Sequence, residues 1–269
     1  MSPHTVASPP SPAGPGAPVQ EPWTAAALGA DVLALAGRSP AEILAWALRR
    51  FPRIALVASL QVESVVLIDM AVALGYEPTV ITLDTGRLPE ATHEMIDRVR
   101  DRYGLPIEVH GPDPEEVRRM TGRFGVNGFY RAPRLRRLCC AVRKAHPLAR
   151  ALDGHDAWVT GLRRDQSATR QATPVLAVDP EHGGIAKVAP LAGWSQQEVF
   201  AYATAHDLPR HRLYDQGYTS IGCAPCTRPT RPGEDPRAGR WWWEGADVVK
   251  ECGLHPPAAA SSVTGSASR

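Results

Sequence analysis

Residues 53–87 read RIALVASLQVESVVLIDMAVALGYEPTVITLDTGR, and their hydrophobic rhythm decides the fold. Residues 54–58 form a short continuous apolar run, the pattern of a strand buried on both faces. A helical stretch follows at 62–74, and a second short run at 79–83. The same alternation continues with a helix over 89–103 and a strand over 107–109. Strands that alternate with helices in this way predict an α/β fold, a parallel sheet with helices on both faces. In such sheets ligands gather at the carboxyl ends of the strands. Two loops at those ends carry polar groups: Ser59-Leu60-Gln61-Val62-Glu63-Ser64 after the first strand and Asp84-Thr85-Gly86-Arg87 after the second. The first enters a helix, where backbone N–H groups and a positive dipole end can receive an anion. Taken alone, the same residues also read as an ordinary helix cap.

Upstream, Leu33, Leu35, Ile43, Leu44, Ala47 and Leu48 recur at helical spacing as packing positions, and Ser39-Pro40 is a helix start. Residues 1–22 are rich in Pro, Ala, Gly and Ser and are expected to be disordered, as is the similar tail 256–269. A nucleotide-binding domain is therefore expected over 23–240, with a short C-terminal segment over 241–255. Downstream of the quoted stretch, Asp113-Pro114 predicts another helix start. A basic tract, Arg131, Arg134, Arg136, Arg137, Arg143 and Lys144, surrounds Cys139-Cys140, and Pro147 is expected to end or kink its helix. Residues 157–160 read as a strand followed by the polar loop Gly161-Leu162-Arg163-Arg164-Asp165-Gln166-Ser167, with Arg170 close behind. Residues 174–178 and 185–188 resemble a hairpin, and Ser195 to Glu198 opens a helix through a capping-box pattern.

At 269 residues the chain can bury a full core. Thirty Lys and Arg against 28 acidic residues leave a net charge of +2, which argues against a nucleic-acid coat or a membrane-surface protein. No stretch reaches the roughly 18–20 apolar residues of a membrane span, and no signal-peptide pattern opens the chain, so a cytoplasmic location is expected. Self-association is left open by the sequence.

In a reducing compartment five cysteines are better ligands or reactive thiols than a disulfide framework. Four come as tight pairs, Cys139-Cys140 and Cys223-Ala-Pro-Cys226, and the two-residue spacing of the second lets both thiolates face one metal. Adjacent ligands suit the separated irons of a 4Fe-4S cluster better than zinc, whose paired ligands are typically two to four residues apart. Zinc is the second reading and two inert buried pairs the third. Cys252 stands alone in the stretch GRWWWEGADVVKECGLH (239–255). Lys250, His255, Arg237 and Arg240 favour its thiolate, and its short polar setting argues against the usual role of a buried small hydrophobe.

LDTGR (83–87), CCAVRK (139–144), TGLRRDQS (160–167), GYTSIGCAPCTRP (217–229), GEDPRAGRWWWE (233–244) and KECGLH (250–255) together resemble the phosphoadenylyl-sulfate reductase family, and within it the iron-sulfur branch of assimilatory adenylyl-sulfate reductases. The resemblance implies a Rossmann-like fold of the adenine-nucleotide-hydrolase type, with a mobile C-terminal segment and a modified pyrophosphate loop at 59–64. It implies a 4Fe-4S cluster on Cys139, Cys140, Cys223 and Cys226, with Cys252 as nucleophile. It further implies substrate contacts from Ser59, Arg87, Lys144, Arg163, Arg170, Arg237 and Arg240. The loop SLQVES departs from the aromatic and aspartate found in many members. The activity so implied is reduction of adenosine 5'-phosphosulfate (APS) to sulfite and AMP with thioredoxin as reductant. The 3'-phosphorylated substrate (PAPS) is the alternative, and a zinc-stabilised nucleic-acid module is a third.

Overall fold

The computed structural model describes residues 22–245, Glu251 and Leu254. Cys252, with its expected nucleophilic role, and the expected tails at 1–21 and 256–269 lie outside the described residues. Two helices open the fold, α1 (Ala25–Ala34) and α2 (Pro40–Arg50), the latter capped by Ser39 and Glu42 in a reciprocal capping box. Strands and helices then alternate: β1 (Ile54–Val57), α3 (Val62–Ala73), β2 (Thr79–Leu83), α4 (Glu90–Tyr103) and β3 (Ile107–His110). Each matches its expected run to within a residue or two. Beyond β3 come α5 (Pro114–Phe124), α6 (Pro133–Cys140), α7 (His146–Ala151), β4 (Ala157–Val159), β5 (Leu176–Asp179), β6 (Ile185–Val188) and α8 (Gln196–Ala205).

Among the described residues the six strands form one sheet in the order β3-β2-β1-β4-β6-β5. Five run parallel, and only the edge strand β5 pairs antiparallel, with β6. The hairpin read at 174–188 therefore closes an otherwise parallel sheet, a common edge in such folds. The inner strands β1, β2 and β4 bury both faces, as their continuous apolar runs require, whereas the edge strand β3 leaves Glu108 and Val109 exposed. Leu56, Val80, Ala157 and Val159 point to one core with α2, α3 and α8, whereas Ala55, Ile81 and Trp158 meet Leu148, Ala151 and Leu152 of the α7 region on the other face. Helix α3 lies between the sheet and α2 and α8, which explains why it is apolar all round.

Two expectations change. Leu33 is 78% exposed, so α1 packs through Leu28 and the following Leu35 instead. Pro147 does not end its helix: α6 passes into a π-turn at Ala141–Ala145 and on into α7 with helical dihedrals throughout, and the wider turn just ahead of Pro147 accommodates the proline. No helix among the described residues is long and apolar enough to cross a membrane.

Candidate active site

The chain leaves β1 toward β2 on one side, and β4 joins the other side of β1. The sheet thus reverses its order between β1 and β4, and the crevice at their carboxyl ends is where an α/β sheet receives a ligand. A cleft enclosing about 1430 Å³, counting its open mouth, lies there. Its floor comes from the ends of the strands, Val57 to Ser59, Thr82, Leu83 and Thr160 to Leu162, and its walls from Glu63, Gln166, Thr219 to Gly222 and Trp241.

Of the residues expected to touch substrate, Ser59, Lys144, Arg163, Arg170, Arg237 and Arg240 all line this cleft. Arg87 does not. Its guanidinium donates to Val126 O and to Asn127 Oδ1 at 3.0 and 2.8 Å and lies over Phe129, on the side of the cysteines. Arg163 is buried in the wall, with its donors directed at Glu63, at Asp165 and at the carbonyl of Trp194. The geometry makes it a brace between the β4 loop and the start of α3.

The loop 59–64 is held by the rest of the fold more tightly than its sequence suggests. Leu60 is fully buried with φ +57°, a left-handed conformation unusual for leucine. The Val62 amide donates to the Tyr214 hydroxyl at 3.2 Å, and Gln61 Oε1 accepts from the Ile221 amide at 2.9 Å. One of the first N–H groups of α3 is thus spent on the protein itself, while Ser59 stays at the cleft. On the opposite wall Arg240 is 6% exposed, donates to Ile221 O at 3.2 Å and lies 4.8 Å above the Trp241 ring. A side chain at Gly222 would run into the Arg240 guanidinium, so a glycine is needed there for the arginine to reach the cleft.

The second part of the site is a small core of Phe129, Cys226 and Trp241, with Cys139, Cys140, Cys223 and Trp243 packed against it. The four cysteines expected to act together are therefore in one place. The π-turn after Cys140 carries Arg143 and Lys144 past them, and Cys223 and Cys226 bracket the short turn Ala224–Cys226. None of the four is in a disulfide. Burial, reinforced by neighbouring Cys223, pushes the Cys226 thiol up to about 12. Burial also raises Cys139, with Cys223 adding to it against the opposing pull of Arg143 and Arg87. For Cys223 the burial cost is outweighed by Lys144, the Thr85 hydroxyl at 3.3 Å, Arg240 and Arg143, and its pKa falls below the usual thiol value.

The chemistry of this pocket fits an iron-sulfur cluster. Four soft sulfur donors meet here, and burial holds two of them, Cys139 and Cys226, in the protonated form unless a positive centre among them favours the thiolates. Among the described residues, five buried side-chain nitrogens lack a hydrogen-bond partner, and four of these, Arg143 Nε, Arg240 Nε, Trp241 Nε1 and Trp243 Nε1, belong to residues bordering the thiols. Orphaned donors around a sulfur site call for acceptors such as thiolates and inorganic sulfide. No three Cys, His, Asp or Glu side chains among the described residues are arranged to hold a single metal ion.

Sequence reading missed the supports of this pocket. Trp241 is buried between two guanidinium groups, Arg136 at 4.4 Å and Arg240 at 4.8 Å, and Trp243 packs on Tyr130 at 4.4 Å. Arg136, with a side chain 1% exposed, pairs with Glu244 at 2.8 Å and donates to the carbonyl oxygen of Glu251 at 2.6 Å. Glu251 in turn sits on Arg170 and Arg237 at 2.8 and 3.2 Å. The basic tract and the WWWE run were the available signals, but neither shows its partner. Leu254 lines the cleft, so the two described residues that flank Cys252 in sequence both lie at this site.

A family model, the phosphoadenosine phosphosulfate reductase domain, matches residues 53–229. The chain is 47% identical over 232 residues to the adenosine 5'-phosphosulfate reductase of Burkholderia cepacia, covering 86% of this chain and 92% of that protein. It is 45% identical over 228 residues to the protein of the same name from Allochromatium vinosum, covering 85% and 88%. Among solved structures it is similar to the phosphoadenylyl-sulfate (PAPS) reductase of Candida auris in a phosphate complex, with a TM-score of 0.66, 27% identity, and coverage of 77% of this chain and 98% of that one.

Proposed function

The chain belongs to the phosphoadenosine phosphosulfate reductase family, and from that premise we propose that it reduces APS to sulfite and AMP in sulfate assimilation. The observation that carries the reading is the joining of two sites through shared cations. Lys144 and Arg240 line the nucleotide-type cleft and also stand close enough to Cys223 to lower its pKa. A cleft at a sheet switch point suits an adenosine, and its cationic end suits a phosphosulfate.

In this reading the adenosine lies over the strand ends near Ser59, and the phosphosulfate meets Lys144, Arg170, Arg237 and Arg240. Arg87 and Arg163 act indirectly, the first beside the cysteines and the second as a brace for the α3 entry. The Cys252 thiolate attacks the sulfur of APS: an S–S bond forms, the S–O bond to phosphate breaks, and AMP leaves with the electron pair. The guanidinium groups and Lys144 offset the charge that grows on the leaving phosphate. Cys252 then carries an S-sulfonate. A thioredoxin-type dithiol attacks the Cys252 sulfur, sulfite departs with the bonding electrons, and the second thiol of the reductant resolves the mixed disulfide to restore Cys252.

Cys139, Cys140, Cys223 and Cys226 would hold a 4Fe-4S cluster. When bound, it supplies a structural and electrostatic centre beside the cationic cleft. The nitrogens of Arg143, Arg240, Trp241 and Trp243 that lack partners would donate to its sulfurs. Four thiols gathered in one pocket, two of them adjacent in sequence, support a cluster over one zinc. Thiols outside disulfides fit the reducing cytoplasm.

Sulfite release measured side by side from APS and PAPS tests the substrate. Faster release from APS is expected. A clear preference for PAPS would overturn the assignment, and the similarity to the Candida auris protein is the reason to include it.

A further inference from the structure

Resting on the reductive step just described, we propose that the outer face of α6, with the apolar groove beside it, is the docking surface for the dithiol protein that regenerates the enzyme, and that this partner presents acidic side chains to it. Arg134, Arg137 and Leu138 lie three and four residues apart on α6, so they share one face, and all three are exposed. Arg131, also exposed, stands just ahead of the helix. Among the described residues none of these three arginines has an acidic partner, whereas Arg100 and Arg118 pair with carboxylates close by in sequence. Between α5 and α6 runs a groove lined by Met120, Phe124, Val126, Leu135 and Leu138, with Val126 63% exposed. Gly125 also lines it, and the Arg131 guanidinium comes within 3.7 Å of the place where a Cβ on Gly125 would lie, at the groove's rim.

An apolar groove edged by guanidinium groups is the make-up of a protein–protein surface. Its unmatched positive charge selects an acidic partner. The same charge speaks against a second copy docked face to face, which would set arginine against arginine. The groove's aliphatic lining and the chain's net charge of +2 speak against nucleic acid. The site itself indicates which acidic protein comes here. The buried side of α6 carries Arg136, which donates to the carbonyl oxygen of Glu251 at 2.6 Å, and Glu251 precedes Cys252 in sequence. A protein whose thiol attacks the Cys252 sulfur therefore comes up to α6 and needs a surface there to rest on.

The test compares wild type with the double charge reversal Arg134→Glu and Arg137→Glu, both as cluster-bound protein. With a thioredoxin kept reduced by its reductase, kcat/KM for thioredoxin is expected to fall about tenfold or more, because like charges then meet where steering was favourable. Iron content, adduct formation from APS without reductant, and sulfite release driven by dithiothreitol, which is too small to need a docking surface, are expected to stay at wild-type levels. Arg131→Glu, outside the helix, is expected to act in the same direction and reads the surface independently of the folding of α6. An unchanged kcat/KM for thioredoxin, an equal loss with dithiothreitol, or a wild type served by dithiothreitol but not by thioredoxin would overturn the proposal. Tight binding of a single-stranded oligonucleotide that the reversal abolishes would overturn it as well. Absence of any adduct from APS in the wild type would instead overturn the reaction.

Discussion

Cys226 shows how one residue's setting determines its chemistry. Its thiol is buried and pushed up to about 12, so in this setting at neutral pH it stays protonated, neither ligand nor nucleophile, unless a metal favours the thiolate. The ligand role proposed for it gives a sharp expectation: Cys226→Ser loses bound iron and sulfite release together. Iron content and activity measured on the same sample check this; a protein without iron at full activity would contradict it. His211 carries a different message. Burial, with Arg212 and Arg98 adding to it, pushes its pKa down to about 4 from the ordinary 6.5. Nδ1 accepts from the Leu213 amide, leaving Nε2 to donate to Thr92. The unfolded chain binds this proton more readily, so the stability His211 contributes is complete above pH 6.5 and is lost as pH falls toward 4. The slope is about 1.4 kcal/mol per pH unit across that window. Urea unfolding of wild type and His211→Gln through the window should show a shallower pH dependence in the variant, and equal slopes would refute the assignment.

At the scale of elements, the C-terminal part of the site depends on long-range ion pairs. Arg136 and Glu244, 108 positions apart, form a buried pair whose side chains are 1% and 2% exposed, and Trp241 stacks on the same guanidinium. Removing one partner strands a buried charge, which costs roughly 3–5 kcal/mol. Glu244→Ala should lower unfolding stability by about that amount and also weaken docking of Glu251, whose carbonyl oxygen Arg136 holds. A loss below about 0.5 kcal/mol, in the range of a surface substitution, would show that the pair is not buried in solution. Such partnerships explain what the sequence conceals. The strands, the α3 entry and the cysteine pairs are local patterns, set by apolar runs and short spacings, and could be read directly. The placement of Arg87 beside the cysteines, Arg163's ties to Glu63 and the seat of Glu251 depend on residues 14 to 115 positions apart. The π-turn was equally hidden. Pro147 was a correct sign of disturbed helical bonding, but the disturbance falls just ahead of it, at Ala141–Ala145, and aims Arg143 and Lys144 at the thiols.

Across the whole molecule, a near-neutral chain brings four cations from distant parts of its sequence to one cleft. Lys144, Arg170, Arg237 and Arg240 line one cleft at the β1–β4 switch, while the ordinary surface pairs its charges locally, as Arg118 does with Glu115. The sheet supplies the crevice, the turns beyond it the thiols, and the C-terminal segment a carboxylate that rests where an oxyanion is expected. A fold so arranged makes APS binding screenable by salt, because its affinity comes from charge at a partly open site. Raising the ionic strength should raise KM for APS more than it lowers kcat, and steady-state assays in a salt series check this; an unchanged KM would contradict it. The central claim, that a cysteine of the C-terminal segment takes the sulfonate from APS, is tested most directly by incubating the cluster-bound protein with APS without any thiol reductant and mapping the product by mass spectrometry. One added sulfonate is expected on the peptide that contains Cys252 and none in Cys252→Ser; an adduct on Cys139, Cys140, Cys223 or Cys226, or sulfite released with no adduct at all, would contradict the proposed reaction.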